Sequence, residues 1–175
     1  MDINASTESL ISSIRTPGGD IFFHSIALLT SEYIFFSLIF FLTILAFKNK
    51  RIRALTEFEL ATIITTAIAT LILKYTLLVS RPIPIAIALG TEHTPSFPSL
   101  HAAMITALVG SLYITVYPQL RTSMQKNIFI ILSLSAWVIV LISRLYLRVH
   151  YMTDIIAGCA VGFLCILLCR YMMRK

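Results

Sequence analysis

The chain has 175 residues, of which 58% are hydrophobic and only 13% charged, and its mean hydropathy is +0.88. A soluble domain carries about 25% charged residues, so the composition excludes a water-soluble globule and indicates one integral-membrane domain. The net charge of +6 reads first as a topology signal, because Lys and Arg gather in cytoplasmic loops; a nucleic-acid partner would need them clustered on one soluble face, and they are not.

In chain order, residues 3–14 set Ile3, Leu10, Ile11 and Ile14 at helical spacing among Ser, Thr and Asn. That spacing predicts a short amphipathic helix lying in the membrane interface. Pro17-Gly18-Gly19 breaks it, and the polar, acid-bearing start carries no pattern of a cleavable signal. Residues 20–29 are mostly apolar, with Asp20, His24 and Ser25 as exceptions, and His24 reads as interfacial. Apolar runs then predict five spans, at about 30–47, 58–78, 101–117, 128–146 and 155–173, each near the ~20 residues that cross ~30 Å of hydrocarbon. The expected fold is therefore all-α: a polytopic membrane helix bundle of five transmembrane helices, with residues 1–29 as an interfacial N-terminal region and residues 1–175 as one domain. Glu32 reads as interfacial. Cys159, Cys165 and Cys169 fit no zinc spacing and read as small buried apolar residues.

The loops set the orientation. Lys48, Lys50, Arg51 and Arg53 follow the first span, Arg121 and Lys126 the third, and Arg170, Arg174 and Lys175 end the chain. By the positive-inside rule these groups, and with them the C-terminus, are cytoplasmic. The N-terminus and the loops 79–100 and 144–154 then lie outside. Apart from Arg15, the basic residues left there are Lys74, Arg81, Arg144 and Arg148. Topology does not explain them, and charge at membrane depth is expensive enough to mark a site.

The outer-side residues fall into three blocks: Lys74 to Arg81-Pro82, Pro98-Ser99-Leu100-His101, and Ser143-Arg144 through His150 to Asp154. On a helix Lys74 and Arg81 would share one face two turns apart, and two cations there suit a phosphate, with the guanidinium able to make paired bonds. Snorkelling at a span end would account for Lys74 alone. Ser99 stands where the third span needs an N-cap, and amides at a helix start favour an anion. His101 in the first turn can give a proton to a leaving oxygen, although a histidine at a membrane interface needs no such role. If the last block is helical, Asp154 can hold the proton of His150 on one nitrogen and leave the other as a nucleophile. Asp154 could also cap the fifth span, which does not exclude that role. Arg144 would complete the cationic cradle.

These blocks resemble the three signature motifs of the type-2 phosphatidic acid phosphatase and vanadium haloperoxidase superfamily, over the last four spans. The resemblance implies that His150 attacks phosphorus to form a phosphohistidine, that Asp154 orients it and that His101 protonates the leaving group. It implies that Lys74, Arg81, Ser99, Leu100 and Arg144 bind the phosphate, with no metal and no cofactor. In this sequence the one other acid between the second and fifth spans is Glu92, too little for a two-metal phosphatase site. Leu100 stands where the family usually has Gly, a version similar to membrane phosphotransferases that make phosphosphingolipids. Arg148 stands where many relatives have Gly, and reads as a solvated loop arginine. Glu92 and His93 read as loop residues, Tyr146 and Tyr151 as aromatic-belt residues, and Trp137 as packing.

The short 83–97 loop leaves no room for a soluble-substrate domain, so the expected partner, besides the bilayer itself, is a lipid phosphate on the outer leaflet of the plasma (inner) membrane. The small five-span form resembles bacterial undecaprenyl diphosphate phosphatases, which recycle the carrier lipid of cell-wall synthesis. Phosphatidylglycerophosphate, phosphatidate and lipid A 1-phosphate stay open as substrates. So do a phosphotransferase passing the group to an alcohol, and a non-catalytic polytopic protein using its charges structurally. A haloperoxidase lacks its soluble scaffold here.

Overall fold

The computed structural model describes residues 2–31, 37, 44, 50–83, 85 and 94–173. Its elements, in order, are α1 (Ile3–Ile14), α2 (Pro17–Leu29), α3 (Lys50–Leu77), α4 (Leu100–Thr115), a 3-10 turn (Tyr117–Gln119), α5 (Ser123–Tyr146) and α6 (Met152–Met172). No strand occurs among the described residues. Four helical stretches there are long and apolar enough to cross a membrane: Thr56–Leu77, Leu100–Gln119, Ser123–Tyr146 and Met152–Met172. They match the second to fifth expected spans to within a few residues. The first, at 30–47, lies outside the described residues except for isolated positions, as do Glu32, Lys48, Glu92 and His93.

Local chemistry explains the helix starts. Asp2 caps α1 by accepting from Asn4 N at 2.9 Å. Pro17 does break the chain after α1, but it also opens α2, where a missing N–H costs nothing; Thr16 caps that helix by accepting from Gly19 N at 3.1 Å. Thr122 and Gln125 form a reciprocal capping box on α5.

In lipid, helices are held together by close packing and interhelical hydrogen bonds rather than by the hydrophobic effect. The tightest crossing is α4 on α6. Ala102, Ala103 and Ala107 are fully buried, and they face Gly158 and Gly162. A methyl group added at Gly158 would lie 2.5 Å from Ser99 O and 2.9 Å from Ala102 Cβ. One added at Gly162 would collide with Ala103 O. Helix α3 turns a polar file inward, Thr62, Thr66, Thr70 and Lys74. Two of its hydroxyls are satisfied within the helix, Thr66 on Thr62 O and Thr70 on Thr66 O, each at 2.7 Å. Glu59 accepts from Ser111 and Thr115, tying α3 to α4, and Trp137 Nε1 donates to Thr106 Oγ1 at 2.8 Å, tying α5 to α4. Trp137 thus adds a hydrogen bond to its expected packing.

The glycine contact gives a test with an internal control. Gly158→Ala forces α4 and α6 apart and should cost about 1–3 kcal/mol, the range for overpacking, seen as a lower apparent Tm in detergent. Gly18, with nothing within 4 Å of an added methyl, should accept Ala within about 0.5 kcal/mol. Equal Tm values for the two variants would contradict the packing described.

Candidate active site

The three blocks meet at one end of the bundle. Lys74 is in the last turn of α3 and 1% exposed. Its Nζ donates to Pro95 O at 2.6 Å and to Ser96 O at 3.3 Å. Arg81 does not share a helix face with it, as the seven-residue spacing suggested. Helix α3 stops at Leu77, Leu78 takes a φ of 50°, and Arg81 is reached through a non-helical segment ahead of Pro82. The two cations still converge, because both grip the same stretch: Arg81 Nε donates to Thr94 O at 2.7 Å, and one terminal nitrogen to Thr94 Oγ1 at 3.1 Å.

Arg81 also reaches the third block. Its other terminal nitrogen donates to Val149 O at 2.8 Å and lies 3.3 Å from His150 Nε2. A guanidinium can only donate, so Nε2 must present its lone pair and the ring proton sits on Nδ1. That nitrogen faces Asp154 Oδ2 at 3.3 Å. The pairing differs from the expected helical face. His150 precedes α6, Asp154 lies in its first turn, and the carboxylate folds back to accept Tyr151 N at 2.8 Å. Burial pushes the His150 imidazole down to about 4, helped by Arg81 and Lys74 and opposed by Asp154.

Ser99 caps α4 as expected, its Oγ accepting from Ala102 N at 3.4 Å, and its own amide donates to Asp154 O at 3.0 Å. The second block is thereby pinned to the third. The Leu100 and His101 amides at the start of α4 have no carbonyl one turn back, an arrangement that in general favours an anion. The Leu100 side chain turns into the core with Ile63, Ala67 and Met104. The charges of Arg144, Arg81 and Lys74, and the His150 ring, all act on the imidazole of His101. Arg144, in the last turn of α5, donates to Thr30 Oγ1 at 2.9 Å at the end of α2.

Several partners carried no sequence signal. Thr94, Pro95 and Val149 act through backbone carbonyls, which every residue has. Ser96 is fully buried and donates to Asp154 Oδ2, although nothing in a Ser between two spans marks it. Two expectations are corrected. Tyr146 is not a belt residue: it is buried, its hydroxyl takes Thr16 N at 2.9 Å, and its ring packs on Phe23. Arg148 is not a solvated loop arginine: it adopts a φ of 54° and pairs with Glu8 of α1 at 3.5 Å. Helix α1 borders the loop again through Asn4 Oδ1, which accepts from Thr153 N at 3.2 Å.

The family model described as the PAP2 superfamily matches residues 54–175. The crystal structure of a transmembrane PAP2-type phosphatidylglycerolphosphate phosphatase from Bacillus subtilis is similar, with a TM-score of 0.75 and 25% identity, over 98% of this chain and 85% of that one. Aquifex aeolicus LpxE is similar with a TM-score of 0.69 and 25% identity, over 98% of this chain and 96% of that one. No curated protein matches the chain by sequence.

The site predicts a neutral His150 at physiological pH. In the substrate-free protein its ring, followed by nitrogen NMR, should titrate at about 4. Stability linked to it is complete above the ordinary value of ~6.5 and is lost as pH falls from there towards 4, because only the unfolded chain takes up the proton. Titration at 6.5 or above would contradict the geometry.

Proposed function

The chain belongs to the PAP2 superfamily, and we propose that it is a lipid phosphatase working through a phosphohistidine on His150. The protein is integral to the membrane, with the fold of membrane lipid phosphatases. The observation that carries the reading is the two-sided hold on His150: one nitrogen faces a carboxylate, the other the Arg81 guanidinium. A phosphate arriving beside Arg81 would meet the Nε2 lone pair.

In the proposed reaction Nε2 attacks phosphorus as the P–O bond to the leaving group breaks, and His101 supplies a proton to the departing oxygen. Asp154 stabilises the imidazolium charge that develops on His150. Lys74, Arg81, Arg144, Ser99 and the Leu100 amide stabilise the equatorial oxygens. Water then attacks phosphorus with His101 accepting its proton, the P–N bond breaks, and inorganic phosphate leaves. The scheme uses no metal.

The substrate we propose is a lipid whose phosphate sits at headgroup level on the outer leaflet of the plasma membrane, with undecaprenyl diphosphate first and phosphatidylglycerophosphate second. Phosphatidate and lipid A 1-phosphate fit the same chemistry. The positively charged loops support an outward site and a cytoplasmic C-terminus. The test is phosphate release from a panel of these four lipids with chelator present. Release should persist in chelator and fall at least about 10³-fold in His150→Ala. Full activity in that variant would refute the mechanism, and transfer of the phosphoryl group to an added alcohol in place of water would refute the hydrolase.

A further inference from the structure

Ser96 lies outside the signature blocks, yet its hydroxyl touches both members of the His150–Asp154 pair. Its backbone is fixed on both sides: its amide donates to Val79 O at 2.7 Å, and its carbonyl accepts Lys74 Nζ at 3.3 Å. The hydroxyl donates to Asp154 Oδ2 and lies 3.4 Å from His150 Nδ1. That same carboxylate oxygen receives Tyr151 N at 2.8 Å and faces His150 Nδ1 at 3.3 Å. Asp154 Oδ1 has no hydrogen-bond partner among the described residues. All three donors therefore crowd one oxygen, which offers about two acceptor sites. His150 is the one held at long range, since a charge-assisted N–H···O bond spans about 2.7–2.9 Å.

We propose that Ser96 is a positioning residue for the reaction: by donating to Asp154 Oδ2 ahead of His150, it fixes the carboxylate and draws off part of its charge, so that the imidazole stays neutral and its Nε2 lone pair stays available to phosphorus. The surroundings make this matter. The groups facing His150 are Asp154 on α6, Lys74 at the end of α3, Arg81 in the segment beyond it, and His101 on α4, while Glu8 on α1 and Arg148, paired with each other, line the pocket beside it. Of the groups that act on the ring most strongly, Asp154 is the one that favours its protonation. Unshared, its carboxylate would pull the imidazole towards the imidazolium, which has no lone pair to attack with. Ser96 acts on that one group and through it on the nucleophile.

The inference rests on the reading of His150 as nucleophile, and its test is separable from that reading. In Ser96→Ala the His150 titration should rise by about one pH unit, a tenfold change in proton affinity. The ratio of kcat at pH 5 to kcat at pH 8 should fall about twofold relative to the parent protein, because the neutral fraction of a ring titrating one unit higher drops to about half at pH 5, with the loss in kcat rather than KM. Ser96→Cys keeps the shape of the buried site but donates weakly, so it should move both readouts in the same direction by less. It also serves if Ser96→Ala does not fold. A purely structural serine would lower Tm and reduce activity equally at both pH values. An unchanged His150 titration in these variants overturns the proposal. The titration needs no turnover, so it decides the role of Ser96 even if phosphate release from the lipid panel fails.

Discussion

Asp154 is the point on which the site is hung. It is a fully buried carboxylate, and burying such an ion unpaired costs several kcal/mol. Its partners offset that cost, and they come from two separate parts of the chain. Tyr151 N and His150 Nδ1 come from the loop ahead of α6, and Ser96 Oγ comes from the segment between α3 and α4. Its backbone carbonyl takes the Ser99 amide, so the start of α4 is fixed to the start of α6. One residue thereby ties together the proposed nucleophile, the proposed general acid and the start of α4.

The surrounding helices make that arrangement rigid. Gly158 stands one turn beyond Asp154 and lets Ser99 and Ala102 approach the α6 backbone, so the packing that joins two spans also sets the spacing between two blocks. Lys74 and Arg81 are held by carbonyls of residues 94–96. On the other side, α1 and α2 clamp the stretch 144–153 at four places: Thr30 on Arg144, Thr16 on Tyr146, Glu8 on Arg148 and Asn4 on Thr153. The left-handed backbone of Arg148 costs about 1–2 kcal/mol for a residue with a Cβ, and the pairing with Glu8 is one contact that offsets it.

What the sequence made legible follows from what kind of signal each feature leaves. Span positions are written in runs of apolar side chains, so α3 to α6 fall where hydropathy puts them. The three blocks were legible because their chemistry resides in rare charged side chains at membrane depth. Geometry between them was less so. The spacing of Lys74 and Arg81 suggested one helix, but a helix ends where the chain turns, and Pro82 with the left-handed Leu78 ends it early. His150 and Asp154 meet as the spacing suggested, though through a loop and a helix start. Ser96, Tyr146 and the Glu8–Arg148 pair were not legible. A serine, a tyrosine and a surface-like acid read the same buried or exposed, and only contacts distant in sequence distinguish them.

The central claim is that His150 Nε2 is the atom that takes the phosphoryl group. The most direct measurement is a rapid alkaline quench during turnover of a radiolabelled lipid diphosphate, followed by mass-spectrometric mapping of the labelled peptide. The account predicts an acid-labile, base-stable phosphoryl group on His150 that appears and decays within the turnover time. Turnover with no covalent label on the protein, or with the label on another residue, would contradict it.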